Sequence, residues 1–210
     1  MSLARKPKWR RRAEDRPDEI LDAALEEFTE RGFDATRVED VAARAEISKA
    51  GVYLYFTSKE EILRALIERE IAPVARKMRE LADAGLDDPL GTLGAIAAGF
   101  AAVTSNPTVF AVPRLVISVS GRFPEIGEYY RVHVVEEALG AFAALIRAGV
   151  EQGVFRDVDP IAAARAVAGP MMLHAMWMHV LGGDPGKKTP MERAAAHIDL
   201  VLNGLAADES

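Results

Sequence analysis

Proline and short polar caps cut most of this chain into helix-length pieces. Pro follows Asn106, Phe123, Asp159 and Thr189. At each junction it suits the first helical turn, where its missing N–H has no intrahelical partner to lose. Between the junctions apolar residues recur at three- and four-residue steps, and the strict alternation of a half-buried strand is rare. The pattern predicts an all-α chain. Its larger part comprises segments 89–104, 107–120, 124–151, 159–181 and 190–206, with turns at Gly153 and at 182–186.

The first eighty residues are punctuated more finely. Ile20, Ala24, Leu25 and Phe28 make one apolar face of a helix running from Pro17 to Arg31. Gly32 stops it and Phe33 follows as a core anchor. Thr36 with Glu39 reads as a capping box for a short helix over 37–45, with Val38, Val41 and Ala42 facing inward. A tight turn at Glu46–Ile47 leads to Ser48, the cap of a third helix over 49–55. Ser58 with Glu61 caps a fourth, which runs towards Ala82 with a kink or break at Pro73. Two of these short helices lie about three residues apart, the spacing of a helix-turn-helix and also of a generic small bundle.

Several function classes fall away on composition. The 210 residues contain no cysteine, so thiolate metal sites and disulfide frameworks are excluded. The four histidines, at 133, 174, 179 and 197, form no HExxH pair, and His174 and His179 are five apart, a poor same-face spacing. Ser118 and Ser120 have no sequence-visible His/Asp partner. We therefore expect no catalytic residues, no metal and no cofactor. The loop GGDPGKK at 182–188 lacks phosphate-loop spacing. No eighteen-residue apolar run and no signal-type segment is visible, which predicts no membrane partner and a cytoplasmic address. The net charge of −6 is uneven: residues 1–16 carry +5, and both 17–60 and 61–210 are acidic. The first sixteen residues thus read as a basic flexible arm suited to a polyanion, or as a solubilising end.

The stretch Thr36–Leu63, TRVEDVAARAEISKAGVYLYFTSKEEIL, with the preceding helix and Gly32–Phe33, closely resembles the DNA-binding domain of TetR-family transcriptional regulators. The resemblance covers residues 17–63. Farther on, RLVI at 114–117, RFPE at 122–125, Tyr129–Tyr130 and GVFRD at 153–157 resemble the ligand-binding region of the AefR/AcrR-like branch. It implies a three-helix N-terminal helix-turn-helix domain (17–63) behind the arm (1–16). A larger helical ligand-binding and dimerisation domain (64–210) would follow. It also implies a homodimer on a palindromic double-stranded DNA operator, usually a repressor, released by a small-molecule effector.

On that resemblance the helix after Ser48 reads the major groove. Lys49 holds it to DNA, and Ala50 and Gly51 stand where Gly and Thr or Ser are common, so Gly51 offers close approach rather than a hydroxyl. Tyr53 and Tyr55 match aromatic positions at the DNA face, and Lys59 matches a phosphate-contacting lysine. Thr36 and Arg37 flank the other side, and Arg44 is a weaker candidate that pairs with Asp40 at a four-residue step. Leu54 stands at a position that is often polar and suits a thymine methyl. Gly51 and Leu54 also support an alternative, a helical ligand-binding or interaction protein with degraded DNA recognition.

In the body, the large or adaptable residues Phe100, Val103, Phe110, Leu115, Phe123 and Phe142 are candidates for an apolar effector pocket, together with Ile117. Met171, His174, Trp177 and Met178 add adaptable and polar groups on one helix, and they suggest an apolar or aromatic effector. Ile161, Ala164, Ala168 and Met172, with Ala195, Ile198, Leu202 and Leu205, form the expected dimer stripes.

Overall fold

A computed structural model describes residues 8–184 and 186–203. Among them the regular structure is entirely helical. The first part contains α1 (Lys8–Arg31), α2 (Val38–Arg44), α3 (Lys49–Tyr53) and α4 (Lys59–Leu66). A π-helical turn (Ile67–Ile71) joins α4 to α5 (Ala72–Ala84). Then come α6 (Pro89–Thr104), α7 (Pro107–Val119) and α8 (Pro124–Tyr130). A second π turn (Arg131–Val135) leads into α9 (Glu136–Glu151), followed by α10 (Pro160–His179) and α11 (Pro190–Asn203). This is the all-α architecture expected, a small N-terminal helix-turn-helix followed by a larger helical bundle. No single described helix is long and apolar enough to cross a membrane, and α6 and α7 meet at 79°.

The junction caps explain why boundaries fall where they do. Asp88 accepts from the Gly91 N–H, Asn106 from Thr108, and Asp159 from Ile161, at 3.0, 2.9 and 2.9 Å. Thr189 and Glu192 bond reciprocally. Ser58 accepts from the Glu61 N–H at 3.2 Å, while the Glu61 carboxylate reaches back to the Thr57 N–H and hydroxyl.

Three local expectations need correction. Pro17 does not start α1 but lies inside it, because residues 8–16 extend the helix backwards. Residues 1–7 of the expected arm lie outside the described residues. The Thr36–Glu39 box does not form. Gly32, at φ +85°, turns the chain so that the Thr36 hydroxyl donates to the carbonyls of Gly32 and Glu27, at 2.8 and 3.2 Å. The α2 cap passes to Arg37, whose N–H is accepted by Asp40 at 2.8 Å. The break expected at Pro73 is present: the α-helical ladder of α4 stops at Leu66, a π turn follows, and Pro73 sits in the first turn of α5. Arg44 does not pair with Asp40. It crosses to α1 and bonds Glu26, Glu27 and Glu30 at 2.7, 2.7 and 2.5 Å.

Two apolar clusters fill the molecule. The first gathers Phe28, Phe33, Val41, Val52 and Phe56 from the N-terminal helices, yet it also takes in Leu115 from α7 and Ile126 from α8. The second centres on Leu93, Phe142, Leu145 and Val167. The segment α4–π–α5 passes through both, burying Ile62, Leu63 and Leu66 in the first and Met78 and Ala82 in the second. Phe33 joins the small head to the body, its ring 5.0 Å from that of Phe28 and 5.6 Å edge-on from Phe123.

Burial separates structural from available residues here. Phe28 is 1% exposed and Leu54 81% exposed. Phe28→Ala is expected to cost about 3–5 kcal/mol through lost transfer energy and a cavity. Leu54→Ala is expected to stay within about 0.5 kcal/mol. Chemical denaturation followed by circular dichroism measures both, and comparable losses would contradict the packing.

Candidate functional site

The N-terminal site is built on a very short helix. Ser48 caps α3 by accepting from the Gly51 N–H at 3.0 Å. A Cβ at Gly51 would lie 3.3 Å from Ser48 Oγ and 3.6 Å from Ile47 Cβ, so glycine lets the cap close tightly. Val52 and Phe56 turn inward and anchor α3 to the first core. What remains outside is Lys49, Ala50 and the run Tyr53–Leu54–Tyr55, all exposed. This is an apolar and phenolic ridge flanked by a cation. Arg37 is also exposed at the start of α2.

Lys49 is held beside the ridge. Its Nζ bonds Glu39 of α2 at 2.6 Å and lies 5.8 Å from the centre of the Tyr53 ring. The hydrogen bond that Lys49 donates to Glu39 raises the lysine pKa and lowers the glutamate's. Both groups are solvent-exposed, so the pair is weak and easily re-aimed towards a stronger anion.

Two predicted contact residues are spent inside the protein. Thr36 is buried with its hydroxyl bonded to backbone. Lys59 points its Nζ at the carbonyls of Phe33 and Thr36, at 2.6 and 2.8 Å, and sits 4.5 Å above the Phe33 ring. Burial lowers its pKa. It staples the start of α4 to the α1–α2 turn. Arg44 is likewise committed to the α1 glutamates. The roles of Lys59 and Arg44 depend on tertiary partners 14 to 26 residues away, which local spacing does not reveal.

The body encloses a cavity of about 300 Å³. Of the residues singled out from the sequence, Phe100, Val103, Phe110 and Ile117 line it. The others have different positions. Leu115 and Phe142 are buried in the two cores, and Phe123 packs at the head–body joint. Met171 and His174 line a second, smaller cleft. Trp177 is half-exposed on the outer side of α10, resting on Gly183, where an added Cβ would collide with the indole. Met178 lines neither cavity.

The sequence reading missed Ile71 and Val74 from the α4–π–α5 segment, Val134 in the second π turn and the small residue Ala138; Tyr130, named in a motif resembling the ligand-binding region, and Ala168, given to the dimer stripe, also line the cavity. The four-residue spacing of Tyr130, Val134 and Ala138 was the available signal. The walls carry no charged side chain. Thr104 turns its hydroxyl back onto the Phe100 carbonyl at 2.9 Å. Tyr130 has its phenol pKa pushed up to about 12 by burial, so it stays neutral. The chamber therefore favours an uncharged apolar molecule.

Residues at four-residue steps along α10 stay open to solvent: Ile161, Arg165, Gly169, Leu173 and Trp177, followed by Leu181. Ala164 and Ala168, placed in the expected dimer stripe, instead face the second core, as does Ile198 of α11. Ala195 and Leu202 are exposed, and Leu205 lies outside the described residues. The strip exposes Ile161, Leu173, Trp177 and Leu181 along one side of the helix and its end, interrupted by Arg165.

Comparison with known proteins accounts for both ends of the molecule. Residues 20–66 match the family model described as bacterial regulatory proteins of the tetR family. Residues 91–203 match that of the AefR-like transcriptional repressor C-terminal domain. The chain is 27% identical over 197 residues to the HTH-type transcriptional repressor KstR2 of Rhodococcus jostii, covering 91% of this chain and 92% of that one. It is 31% identical over 156 residues to the uncharacterised HTH-type regulator YfiR of Bacillus subtilis, covering 70% and 71%. The crystal structure of PfmR from Thermus thermophilus superposes with a TM-score of 0.66 at 32% identity, covering 90% of this chain and 99% of that one. A helix-turn-helix head presenting an exposed ridge, a helical body with an apolar chamber and these matches over both parts agree: the chain belongs to the TetR family of bacterial transcriptional regulators.

Proposed function

We propose that this chain is a ligand-responsive repressor of the AefR-like branch that acts in the cytoplasm as a homodimer on a palindromic operator. Residues 17–63 serve as the reading head and 64–210 as the ligand-binding and dimerisation body, with the basic residues before Pro17 tracking phosphates. Ser48, Lys49, Ala50, Gly51, Tyr53, Leu54 and Tyr55 meet the major groove, and Arg37 meets the flanking backbone. Thr36 and Lys59 contribute by fixing the α1–α2 turn against α4. The open strip of α10 and the exposed residues of α11 face the second copy, and a small uncharged apolar or aromatic effector fills the chamber.

One observation carries this reading. The same helical rod that packs Ile62, Leu63 and Leu66 into the head presents Ile71, Val74 and Met78 to the chamber. A molecule entering the chamber presses on the part that positions the head, and so changes the spacing of two heads in a dimer. The π turn lies between the two ends of this rod. Coupling of this kind needs only a difference in ligand affinity between two rod positions.

Footprinting on the DNA upstream of the protein's own gene tests the reading head. A short palindrome is expected to be protected, with affinity falling at least about tenfold between ~50 and ~200 mM salt. Tyr55→Ala is expected to weaken that binding by about tenfold at an unchanged thermal midpoint. Absence of protection even at low salt would favour an interaction protein whose DNA reading has been lost. The chamber is tested with N-phenyl-1-naphthylamine, a neutral dye that brightens in apolar surroundings. Saturable brightening is expected, and Val103→Trp should reduce the dye's affinity by about tenfold by filling the space.

A further inference from the structure

Among the described residues that line the chamber, Thr104 and Tyr130 alone carry a hydroxyl. The two are not equivalent. The Thr104 hydroxyl is spent within its own helix, turned onto the carbonyls of Phe100 and Ala101 at 2.9 and 3.3 Å. Tyr130 ends α8, and Val134 and Ala138 follow it on the chamber side at four-residue steps. Its neighbour Tyr129 is satisfied, donating to Glu68 Oε1 of the first π turn at 2.7 Å. Among the described residues the Tyr130 hydroxyl has no such partner, and burial alone raises its pKa. It is not sealed either. The enclosed polar side-chain atoms without a hydrogen bond lie elsewhere, on Glu27, Arg64 and His174. The Tyr130 oxygen therefore keeps open surface, and the space its residue borders is the chamber. A phenol removed from bulk water ordinarily finds a partner.

We infer that Tyr130 is the specificity-determining group of the chamber: its hydroxyl donates to one uncharged oxygen acceptor, such as a ketone carbonyl, on an otherwise hydrocarbon effector. The inference rests on the chamber being the effector site, and it narrows the ligand class. A pure hydrocarbon fills the space but leaves the phenol unpaired, which forfeits a hydrogen bond. A carboxylate would accept that bond, yet no charged side chain among the described wall residues offsets its dehydration. A single neutral acceptor meets both conditions. The raised pKa keeps the proton on the phenol through the ordinary pH range, so the group acts as a donor.

Two molecules with the same pair of phenyl rings test this: benzophenone, with a carbonyl between them, and diphenylmethane, with a methylene. Each is titrated as a competitor of bound N-phenyl-1-naphthylamine, in the full chain and in Tyr130→Phe, which keeps the ring and removes only the hydroxyl. Comparing one ligand between the two proteins cancels its own solubility in water. Tyr130→Phe is expected to weaken benzophenone by about five- to tenfold, the worth of one net hydrogen bond, and to leave diphenylmethane within about twofold. The carbonyl stretch of bound benzophenone is expected at lower wavenumber in the unaltered chain than in Tyr130→Phe, a signature that packing alone does not produce. An equal response of both ligands to the substitution, whether weakened or unchanged, overturns the proposal, and so does an unshifted carbonyl stretch. In those cases the saturable brightening of the dye remains and the chamber stands as a ligand site. Absence of brightening in the unaltered chain removes the chamber and the proposal together.

Discussion

Residues 59–84 form a rod buried at both ends, and the arrangement of the other helices follows from it. Ile62, Leu63 and Leu66 are almost wholly enclosed in the first core, and Ala82 in the second. A helix gripped by two cores fixes the distance and angle between them. It accommodates Pro73 in the first turn of α5, directly after the π turn. The second π turn, at 131–135, faces the same chamber through Val134 and Val135. Insertions of this type disturb the local hydrogen-bond ladder, and both adjoin the chamber whose filling would be transmitted.

Charge is arranged so that the acidic head can still present a surface to an anion. The α1 glutamates 26, 27 and 30 are gathered onto Arg44, with Arg31 at 3.2 Å from Glu27. Glu39 is drawn to Lys49. The outward ridge itself holds tyrosines and leucine rather than carboxylates. Net charge therefore says little about what the head can approach, and the placement of a few side chains says much more.

The parts legible in the sequence are those governed by neighbours. Segments 89–104 and 124–151 and the starts of α7 and α11 fall where their Pro, Asp, Asn and Thr signals placed them. The outward placing of Tyr53 and Tyr55 followed from the family resemblance rather than from spacing, and both are exposed. What was not legible depends on distant partners. Thr36 was drawn off by the Gly32 turn, Lys59 by two carbonyls more than twenty residues away, and Arg44 by α1. The chamber was legible only in part, through Phe100, Val103, Phe110 and Ile117. A cavity exists where side chains are small, so Ala75, Ala138 and Ala168 belong to its walls, while large residues such as Phe142 and Leu115 fill solid core.

The first core does not stop at the head. Phe28, Val41 and Val52 share it with Val112, Val116, Val119 and Ile126 from α7 and α8. A head cut away after α4 would expose the apolar surface that these body residues cover. Reading and sensing are thus separate tasks carried by one cooperative folding unit. Free energy gained when a molecule binds the folded body accrues to the whole unit, so occupancy of the body would protect the head against unfolding.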